Sequence, residues 1–555
     1  MNYKILFSVS IVLFAFLLTT GTAFAADPIE IHTRADLMEI DDSVANLSQN
    51  YILMSHIDFT GESFAPIGTS VSPFKGKFNG NNYTISNITF SSGTMDDVGL
   101  FGHTEDAAIS NLSLKNVSFG GNNCVGGLIG QADNTSINYC SIINTGSHRI
   151  SGNNEVGGFV GRLSSSSISN SYSTGDVKGT GNYVGGFVGY IDDSDISNSY
   201  AMSDVEGAGL GVGGFIGSLN TYASISKSYA NGNVNGIGNY VGGFVGSMAD
   251  HASISESYSN GNVKGESHVG GFVGYIIMDS DIINCYAMGN AEGTFQRVGG
   301  FVGHMRSSTI KNSYAAGNAA GPASVGGFVG SAIGTITDSF YIGEPNSTNT
   351  SLGFFVTPEI LKKNMTFKTE GGVVSASWNI TIDPDPNSIW YIDEDVDYPR
   401  FYWAYHPPNP NQNSGSGHRT GGATIVNPSI SHKPSESSEP DSVESPKSDS
   451  VEPPKSEPPQ KTLSLIGLIV MLTAVLIAMT QVYKAAKLKS KGIENPNLIC
   501  QVIIVLAAIA AVIVFFMTSS LGGEIILLGT GGSIICLLFL VQATLLTKFY
   551  LKNKK

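Results

Sequence analysis

The chain has 555 residues, of which 45 are acidic, 30 are basic, 67 are glycine and five are cysteine. Its net charge of −15 disfavours nucleic acids and anionic membranes as partners, because both would repel such a surface. Five cysteines are too few for a fold held by a disulfide framework, so the core must be held together by packing. The acidic surface suits at most a weak association with divalent cations, and no motif indicates a cofactor.

Residues 1–25 have the pattern of a secretory signal peptide. Lys4 provides the positive charge near the start, and Ile5–Leu18 is the apolar stretch. Small residues precede an expected cleavage site between Ala25 and Ala26. We therefore expect the segment that follows to be exported.

A valine–glycine phrase recurs nine times in the middle of the chain. It begins as Val98-Gly-Leu-Phe-Gly102 and settles into Val-Gly-Gly-Phe-Val/Ile-Gly, with steps of 27 to 31 residues between copies. The first residues of the nine copies are Val98, Val125, Val156, Val184, Val212, Val241, Val269, Val298 and Val325. A nearly fixed period of this size is typical of a solenoid, in which one unit stacks on copies of itself.

A second phrase follows each copy and reads Ile168-Ser-Asn-Ser-Tyr172 in its clearest form. Its alternation indicates a short strand with one apolar and one polar face, and no 3.6-residue apolar period of a helix is present. We therefore predict an all-β fold, a right-handed parallel β-helix over residues 91–345. Nine coils at a sheet spacing of roughly 4.8 Å would form a core about 43 Å long.

Equivalent side chains of stacked coils should form columns. We predict one ladder of phenylalanines, one of tyrosines and one of Asp and Asn at a turn, where they would hydrogen-bond to the backbone. The phenylalanines are Phe159, Phe187, Phe215, Phe244, Phe272, Phe301 and Phe328. The tyrosines are Tyr172, Tyr200, Tyr229, Tyr258, Tyr286 and Tyr314. The turn column is Asp176, Asp204, Asn233, Asn262, Asn290 and Asn318. The glycines predict tight packing of the coils rather than a phosphate loop, since no Gly-Lys-Ser/Thr and no helix follow them.

The valine–glycine phrase resembles the GLUG motif, and the resemblance extends over about residues 98–341. GLUG repeats occur in extracellular proteins of bacteria and methanogenic archaea, including some bacterial IgA-specific peptidases, whose peptidase activity belongs to other domains. The resemblance implies a β-solenoid at a cell surface and no single activity. The flanking segments are similar to those of archaeal GLUG proteins. From them we predict an N-terminal β segment that caps the solenoid at 26–90 and a C-terminal capping segment at 346–405.

The cysteines and the glycosylation sequons mark candidate modification sites. Cys124 and Cys140 are close enough in sequence for a disulfide within one coil, whereas Cys285 stands where other repeats have Ser and is predicted to be a buried thiol. Asn-x-Ser/Thr sequons cluster in the flanks of the repeat region, as surface glycosylation would require. They begin at Asn46, Asn82, Asn87, Asn111, Asn116, Asn134, Asn346, Asn349, Asn364 and Asn379.

The C-terminal third is predicted to attach the solenoid to a membrane. Residues 406–461 are rich in Pro, Ser, Glu and Lys and cannot bury a core, so they form a linker or stalk. Residues 462–555 contain three apolar runs long enough to span a bilayer, namely Leu463–Tyr483, Leu498–Met517 and Ile525–Leu546. Four lysines between the first two runs and four more near the C-terminus predict that both segments are cytoplasmic, with the solenoid outside.

Two functions from different classes fit this organisation. The preferred one is an adhesion or envelope-structural protein that binds a glycan or protein partner through exposed Tyr, Asn and Ser ladders, although such ladders also suit plain structure. The alternative is a polysaccharide-degrading β-helix enzyme, which needs converging charged groups. The candidates are Asp192, Asp193, Asp195, Asp279 and Asp281, with His251 and His268 nearby in sequence. They fall at variable positions of the repeat, so no catalytic residue is assigned.

Overall fold

The computed structural model describes residues 27–342, 353–375, 377–383 and 385–405. These residues form a right-handed parallel β-solenoid, as the repeats predict, with about ten turns rather than nine. Several predicted features lie outside the described residues. They are the leader with its cleavage site at Ala25 and Ala26, the linker at 406–461, the three apolar runs, and the sequons at Asn346 and Asn349. None of the helices within the described ranges is both long and apolar enough to cross a membrane.

Each coil contributes strands to three sheets, which we call the valine–glycine sheet, the long sheet and the tyrosine sheet. In one typical coil, Asn154–Gly157 lies in the valine–glycine sheet, and Val160–Ser164 and Ser167–Ser169 lie in the long sheet. Tyr172–Thr174 then lies in the tyrosine sheet, and Asp176–Gly179 returns to the valine–glycine sheet. Neighbouring coils pair in parallel, so each sheet runs along the axis of the solenoid.

Among the described residues, the long sheet has 19 strands: Ile29–Ile31, Tyr51–Leu53, Lys77–Asn79, Phe101–Glu105, Ala108–Ser110, Ile129–Asp133, Ser136–Asn138, Val160–Ser164, Ser167–Ser169, Val188–Asp192, Asp195–Ser197, Ile216–Asn220, Ser224–Ser226, Val245–Met248, Ser253–Ser255, Val273–Ile277, Asp281–Ile283, Val302–Lys311 and Val329–Thr337. The valine–glycine sheet has 15 in the same part of the chain: Thr89–Ser91, Ser118–Gly120, Asn123–Gly126, Arg149–Gly152, Asn154–Gly157, Asp176–Gly179, Val184–Gly185, Val205–Gly207, Val212–Gly213, Val234–Gly236, Asn239–Gly242, Val263–Gly270, Ala291–Gly299, Ala319–Ala320 and Val325–Gly326.

The tyrosine sheet has 12 described strands: Ile57–Asp58, Thr84–Ser86, Ser113–Lys115, Ser141–Ile143, Tyr172–Thr174, Tyr200–Met202, Tyr229–Ala230, Tyr258–Ser259, Tyr286–Ala287, Tyr314–Ala315, Phe340–Tyr341 and Phe354–Phe355. A small fourth sheet contains Ile380–Thr381, Trp390–Tyr391 and Arg400–Phe401. The α-helices are Arg34–Met38, Pro358–Leu361 and Tyr402–Tyr405, and the 3-10 helices are Glu39–Asp41, Asn46–Ser48, Asn364–Phe367 and Thr369–Gly371. All of these helices lie outside residues 91–342.

The nine repeat valines are paired in register from coil to coil, which confirms the period read from the sequence. The seven predicted phenylalanines form one fully buried ladder, with ring centroids 4.6–4.9 Å apart and ring planes within 10° of parallel. The glycines before them allow this close stacking. A Cβ atom on Gly186, for example, would lie 2.2 Å from the carbonyl oxygen of Gly214 on the next coil.

The second phrase is two short strands joined by a corner, and not one alternating strand as the sequence predicts. Asn170 forms the corner with a φ of 50°, in the left-handed region that Asn tolerates. The corner resets the alternation, so Ile168 and Ser171 are buried whereas Tyr172 faces outward. The sequence interpretation lacked this corner, because a period of two does not reveal a change of direction between strands.

The buried serine after each corner completes a ladder of its own. The hydroxyl of Ser171 donates to the carbonyl of Ser169 at 2.8 Å and accepts the backbone N–H of Cys140 from the preceding coil at 3.1 Å. The same arrangement recurs at Ser199, Ser228 and Ser313, among others. Each hydroxyl therefore satisfies a buried backbone group at a turn, where the strand ladder cannot do so.

The predicted Asp and Asn column hydrogen-bonds to backbone, as expected, over its later members. The side-chain oxygen of Asp204 accepts the N–H of Asn233 at 2.7 Å, and three equivalent bonds continue to Asn318 at 2.9–3.1 Å. None of these residues has a positive φ. The column is therefore a ladder of side-chain acceptors, while the left-handed corners lie elsewhere in the coil.

Residues before the repeats continue the same sheets. Ile29–Ile31 pairs in parallel with Tyr51–Leu53, which pairs in turn with Lys77–Asn79. Between the first two strands, the helix Arg34–Met38 begins with a capping box of Thr33 and Asp36, and its Leu37 is fully buried in the solenoid core. The solenoid therefore starts near residue 29, well before the predicted boundary at 91.

Candidate binding surface on the tyrosine sheet

The six predicted tyrosines form a ladder on the outside of the solenoid. Neighbouring ring centroids are 4.7–5.1 Å apart, and the ring planes lie within 6° of parallel. The residue after each tyrosine, such as Ser173 or Ala201, is fully buried and points into the core. Alternation along these short strands therefore directs the tyrosines outward. This ladder is the largest regular aromatic surface of the repeat region.

The C-terminal segment covers one half of this ladder. The indole of Trp390 lies 6.1 Å from both Tyr286 and Tyr314, and the Phe401 ring lies 5.3 Å from Tyr286. The Tyr314 hydroxyl donates to the carbonyl of Pro399 at 2.6 Å. Burial raises the pKa of the Tyr286 and Tyr314 phenols far above the ordinary value. The segment predicted to cap the solenoid thus lies along the outer face of the tyrosine sheet.

The other half of the ladder remains accessible. Tyr172, Tyr200 and Tyr229 are half-buried, and Trp403, which lies 6.5 Å from Tyr229, is the described ring of the C-terminal segment that reaches furthest along the ladder. The described chain ends shortly after Trp403, at residue 405. Within the described residues, Tyr229 packs against Trp403, while Tyr172 and Tyr200 extend the ladder beyond it and are partly exposed.

The tyrosine column ends at Tyr172, and hydroxyl side chains replace it towards the N-terminus. Tyr172 pairs in register with Ser141, and Ser113 and Thr84 occupy the two preceding coils. The change from large to small side chains leaves a pocket of about 180 Å³. Its described lining residues are Asn82, Thr84, Asn111, Leu112, Ser113, Tyr139, Cys140, Ser141, Ile143, Asn170 and Tyr172. Sequence reasoning missed this pocket, although the break in the tyrosine column at Ser141 could have indicated it.

The same column explains where two sequons occur. Corner asparagines at Asn82 and Asn111 are followed two residues later by the column residues Thr84 and Ser113, which completes Asn-x-Ser/Thr. In later coils, corner asparagines such as Asn170 are followed at that position by tyrosine, so no sequon results. The fold itself therefore accounts for part of the sequon distribution that the sequence suggested was a sign of glycosylation.

Most of the remaining described sequon asparagines also take part in local hydrogen bonds. The Asn87 amide donates to Asp58 at 2.8 Å, and the Asn116 amide donates to Asn87 at 3.4 Å. The Asn134 amide donates to Asp106. The amides of Asn46 and Asn379 donate to the backbone carbonyls of Glu39 and Asn387, and the backbone N–H of Asn364 donates to Glu394. Use of these sequons for glycosylation stays a prediction.

The candidate disulfide is not formed, since Cys124, Cys140 and Cys285 are all free and buried. The Cys124 thiol donates to Glu155 at 3.0 Å, whereas the Cys140 thiol faces the carbonyl of Asn138 at 3.4 Å. Burial raises the pKa of the Cys140 thiol to about 12. Cys285 occupies the position of the buried serine ladder, as predicted, and its N–H donates to Ser313.

The carboxylates considered for catalysis fall into two groups on different coils, one of Asp192, Asp193 and Asp195 and one of Asp279 and Asp281. Asp195 and Asp281 lie in one outward column but are three rungs apart, about 14 Å at the usual sheet spacing. Paired carboxylates that cleave glycosidic bonds lie roughly 5–10 Å apart. Asp193 and Asp279 are exposed residues at left-handed corners. Within the described ranges, no three His, Cys, Asp or Glu side chains are grouped so as to hold a metal ion.

The two histidines near these carboxylates also have other partners. The His251 ring stacks on Tyr222 at 5.0 Å on an exposed turn. His268 lies beside Arg297, with 2.7 Å between Nε2 and Nη1, in a cluster with Tyr240, Tyr275 and His304. Burial, then the charges of Arg297 and His304, lowers the pKa of His268 to about 4. His268 is therefore neutral near pH 7 and accepts a hydrogen bond from arginine.

One buried histidine, His103, lies beside two carboxylates on the outward face of the long sheet. The sequence predicted no such ion pair there. Nε2 of His103 is 2.9 Å from Asp133, and its Nδ1 is 3.6 Å from Asp97, too far for a direct hydrogen bond. Burial alone would lower the pKa of His103, but the hydrogen bond to Asp133 and the two negative charges raise it to about 9. His103 is thus positively charged at neutral pH.

Comparison with known proteins agrees with the repeat architecture. The model of the GLUG motif matches residues 152–178 and 180–206. The chain carries GLUG repeats. Each matched segment is one coil, which leaves the valine–glycine sheet, crosses the other two sheets and returns. The remaining predicted GLUG copies have the same valine register, so they form equivalent coils.

Relatives of the GLUG-repeat chain cover it only in part. Halomucin from Haloquadratum walsbyi (strain DSM 16790 / HBSQ001) is 32% identical over 145 residues, which are 24% of this chain and 2% of halomucin. A solved IgA1 protease is 19% identical at a TM-score of 0.32, over 48% of this chain and 23% of that protein. A protein named as an immunoglobulin A1 protease from Bacteroides ovatus is 17% identical at a TM-score of 0.30, over 68% and 93%. At these TM-scores neither structure bears on function.

Proposed function

We propose that this chain is a membrane-anchored surface protein whose GLUG-repeat solenoid binds a glycan or protein partner in adhesion or in envelope structure. The observation that carries the proposal is the accessible half of the outer tyrosine ladder, Tyr172, Tyr200 and Tyr229. Ordered aromatic rings at a protein surface offer a large, rigid contact area at little entropic cost.

The proposed location rests on the ends of the chain. The leader pattern at 1–25, the three apolar runs after residue 462 and the placement of lysines beside them support an exterior solenoid and a cytoplasmic C-terminus. The partial similarity to halomucin, a mucin by name, supports an extracellular setting. For the alternative of a polysaccharide-degrading enzyme, Asp195 and Asp281 are too far apart to act as a catalytic pair.

The binding proposal is tested with the full-length protein and cell envelope isolated from the organism that produces it. We expect saturable binding, weakened by replacing Tyr200 with Ala and unchanged by replacing Tyr222, an exposed tyrosine on another part of the coil, with Ala. The same samples are assayed for released reducing ends. Absence of binding, or release of reducing ends that depends on one coil, would contradict the proposal, and the second result would favour the enzyme.

The topology is tested on intact cells without a wall barrier. Added protease should remove the solenoid and leave a tag at the C-terminus protected. The reason is that lysine-rich segments beside membrane spans favour the cytoplasmic side. Loss of the tag with the solenoid intact would reverse the orientation.

A further inference from the structure

The ring of Tyr172 has one face that no other aromatic ring of the described residues covers. Its other face stacks on Tyr200 at 4.7 Å with an angle of 4° between the planes. Since the stack follows the solenoid axis, the open face points towards the preceding coil, where the column residue is Ser141. Tyr172 is thus the end wall of the pocket described above, and the hydroxyls of Ser113 and Ser141 lie along the adjoining strands.

The remaining walls of the pocket combine polar groups with the apolar side chains of Leu112, Cys140 and Ile143, and carry no charge. Asn82, Asn111, Tyr139 and Asn170 line the corner between the long sheet and the tyrosine sheet. None of the described lining residues is Asp, Glu, Lys, Arg or His. The amides of Asn111 and Asn170 each donate one hydrogen bond within the solenoid, to Asn79 and Asn138, and keep a second N–H and an acceptor oxygen. This lining therefore suits a ligand that is rich in hydroxyl groups and carries no charge.

We propose that this pocket binds a neutral glycan, with one sugar ring lying flat against Tyr172. The C–H groups on one face of a pyranose ring pack on the negative face of an aromatic ring, while its hydroxyls reach the asparagines and serines. The net charge of −15 and the uncharged lining disfavour acidic polysaccharides. The inference rests on the proposed function and deepens it by naming the ligand class and the site.

The ladder beyond Tyr172 explains why the site lies at this end. The C-terminal segment already covers Tyr258, Tyr286 and Tyr314 with its own aromatic rings. The accessible tyrosines are continuous with that internal interface, so the same stacked surface that binds Trp390 offers aromatic contact to a ligand. At Tyr172 a ring face, rather than a ring edge, meets the pocket.

The experiment uses the full-length protein and a panel of maltohexaose, cellohexaose and chitotetraose, with an oligogalacturonate of similar length as the acidic probe. We expect saturable binding of at least one neutral probe and none of the acidic probe. Y172A should weaken binding about tenfold, the effect expected for loss of one aromatic stack. S141Y should abolish binding, because it places a seventh ring where the sugar would lie.

Two controls keep the result interpretable. S141Y installs the residue that six later coils carry in the same column, so its melting temperature should equal or exceed that of the wild type. Y222A removes an exposed tyrosine elsewhere and should bind as the wild type does. If Y172A and S141Y bind the neutral probe normally, the inference is wrong.

Two further outcomes separate this inference from the proposed function. If no neutral probe binds but the protein still binds cell envelope, the glycan site is refuted and the surface function stands. If mass spectrometry of the protein from its own host finds a glycan attached at Asn82 or Asn111, that glycan would fill the pocket, and the inference is again refuted. Failure to bind both the probes and the envelope would refute both proposals.

Discussion

Two aromatic ladders run along this solenoid, one inside it and one outside. The phenylalanines and the tyrosines have nearly the same spacing, since both follow the distance between coils. The phenylalanines are fully buried at every rung, whereas the tyrosines are buried only where the C-terminal segment lies over them. Stacking is therefore a property of the repeat, and burial of the outer ladder is a property of what covers it. The difference separates residues that hold the fold from residues that remain available to a partner.

The sharpest contrast is between the inner ladder and the variable surface. F244D would place an unpaired carboxylate between two coils, which costs several kcal/mol, on the order of 4 or more. D193A, at an exposed left-handed corner, should cost about 1 kcal/mol, because Ala tolerates the positive φ less well than Asp. Thermal unfolding of the purified full-length variants measures both. F244L, which keeps an apolar side chain, should lie between them. Similar melting temperatures for F244D and D193A would contradict the inward assignment.

The next contrast lies within the outer ladder. Y286A removes a ring that is buried under Trp390 and Phe401, and we expect a loss of about 3–4 kcal/mol. Y200A removes an accessible ring and should cost about 1 kcal/mol. Denaturant unfolding measures the two losses, and limited proteolysis should show earlier cleavage within residues 353–405 in Y286A alone. Equal losses would mean that the C-terminal segment does not bury the ladder in solution.

A smaller and pH-dependent effect is expected at His103. Its folded-state pKa of about 9 exceeds the unfolded value of about 6.5, so its contribution is complete below pH 6.5 and is lost as the pH rises through 9. The contribution is on the order of 3 kcal/mol at most. The stability difference between wild type and H103Q should therefore shrink from pH 6 to pH 10. If the stability difference between wild type and H103Q stays constant over this pH range, the ion pair between His103 and Asp133 is refuted.

The smallest effect is expected from removal of one whole coil. Deleting Val212–Tyr240 lets Val184 pair with Val241 in register, so a folded, shorter solenoid should result, with a melting temperature within about 5 °C of the wild type. Envelope binding should fall modestly, since other coils remain. Deleting Val212–Gly236 instead leaves a step of 32 residues from Val184 to Val241, longer than the 27 to 31 of the natural copies, and should lower the melting temperature further. If both deletions fold equally well, register does not govern the structure.

The sequence by itself determined the features that repeat. The spacing of the nine valines predicted the coil register, and the seven phenylalanines and the later Asp and Asn residues fell into the predicted columns. These features follow from local sequence, because stacking in parallel at a fixed distance aligns equivalent positions whatever surrounds them. The buried thiol of Cys285 was predictable for the same reason, from the serines at equivalent positions.

Only the tertiary structure decided how the tyrosines come to face outward and what covers them. The left-handed corner at Asn170 resets the alternation between Ile168 and Tyr172, and a period of two contains no sign of it. The bond from Tyr314 to Pro399 joins residues 85 positions apart, and the pocket at Tyr172 combines residues of four coils. Such contacts depend on where distant segments pack, and packing is a property of the folded chain rather than of any local pattern.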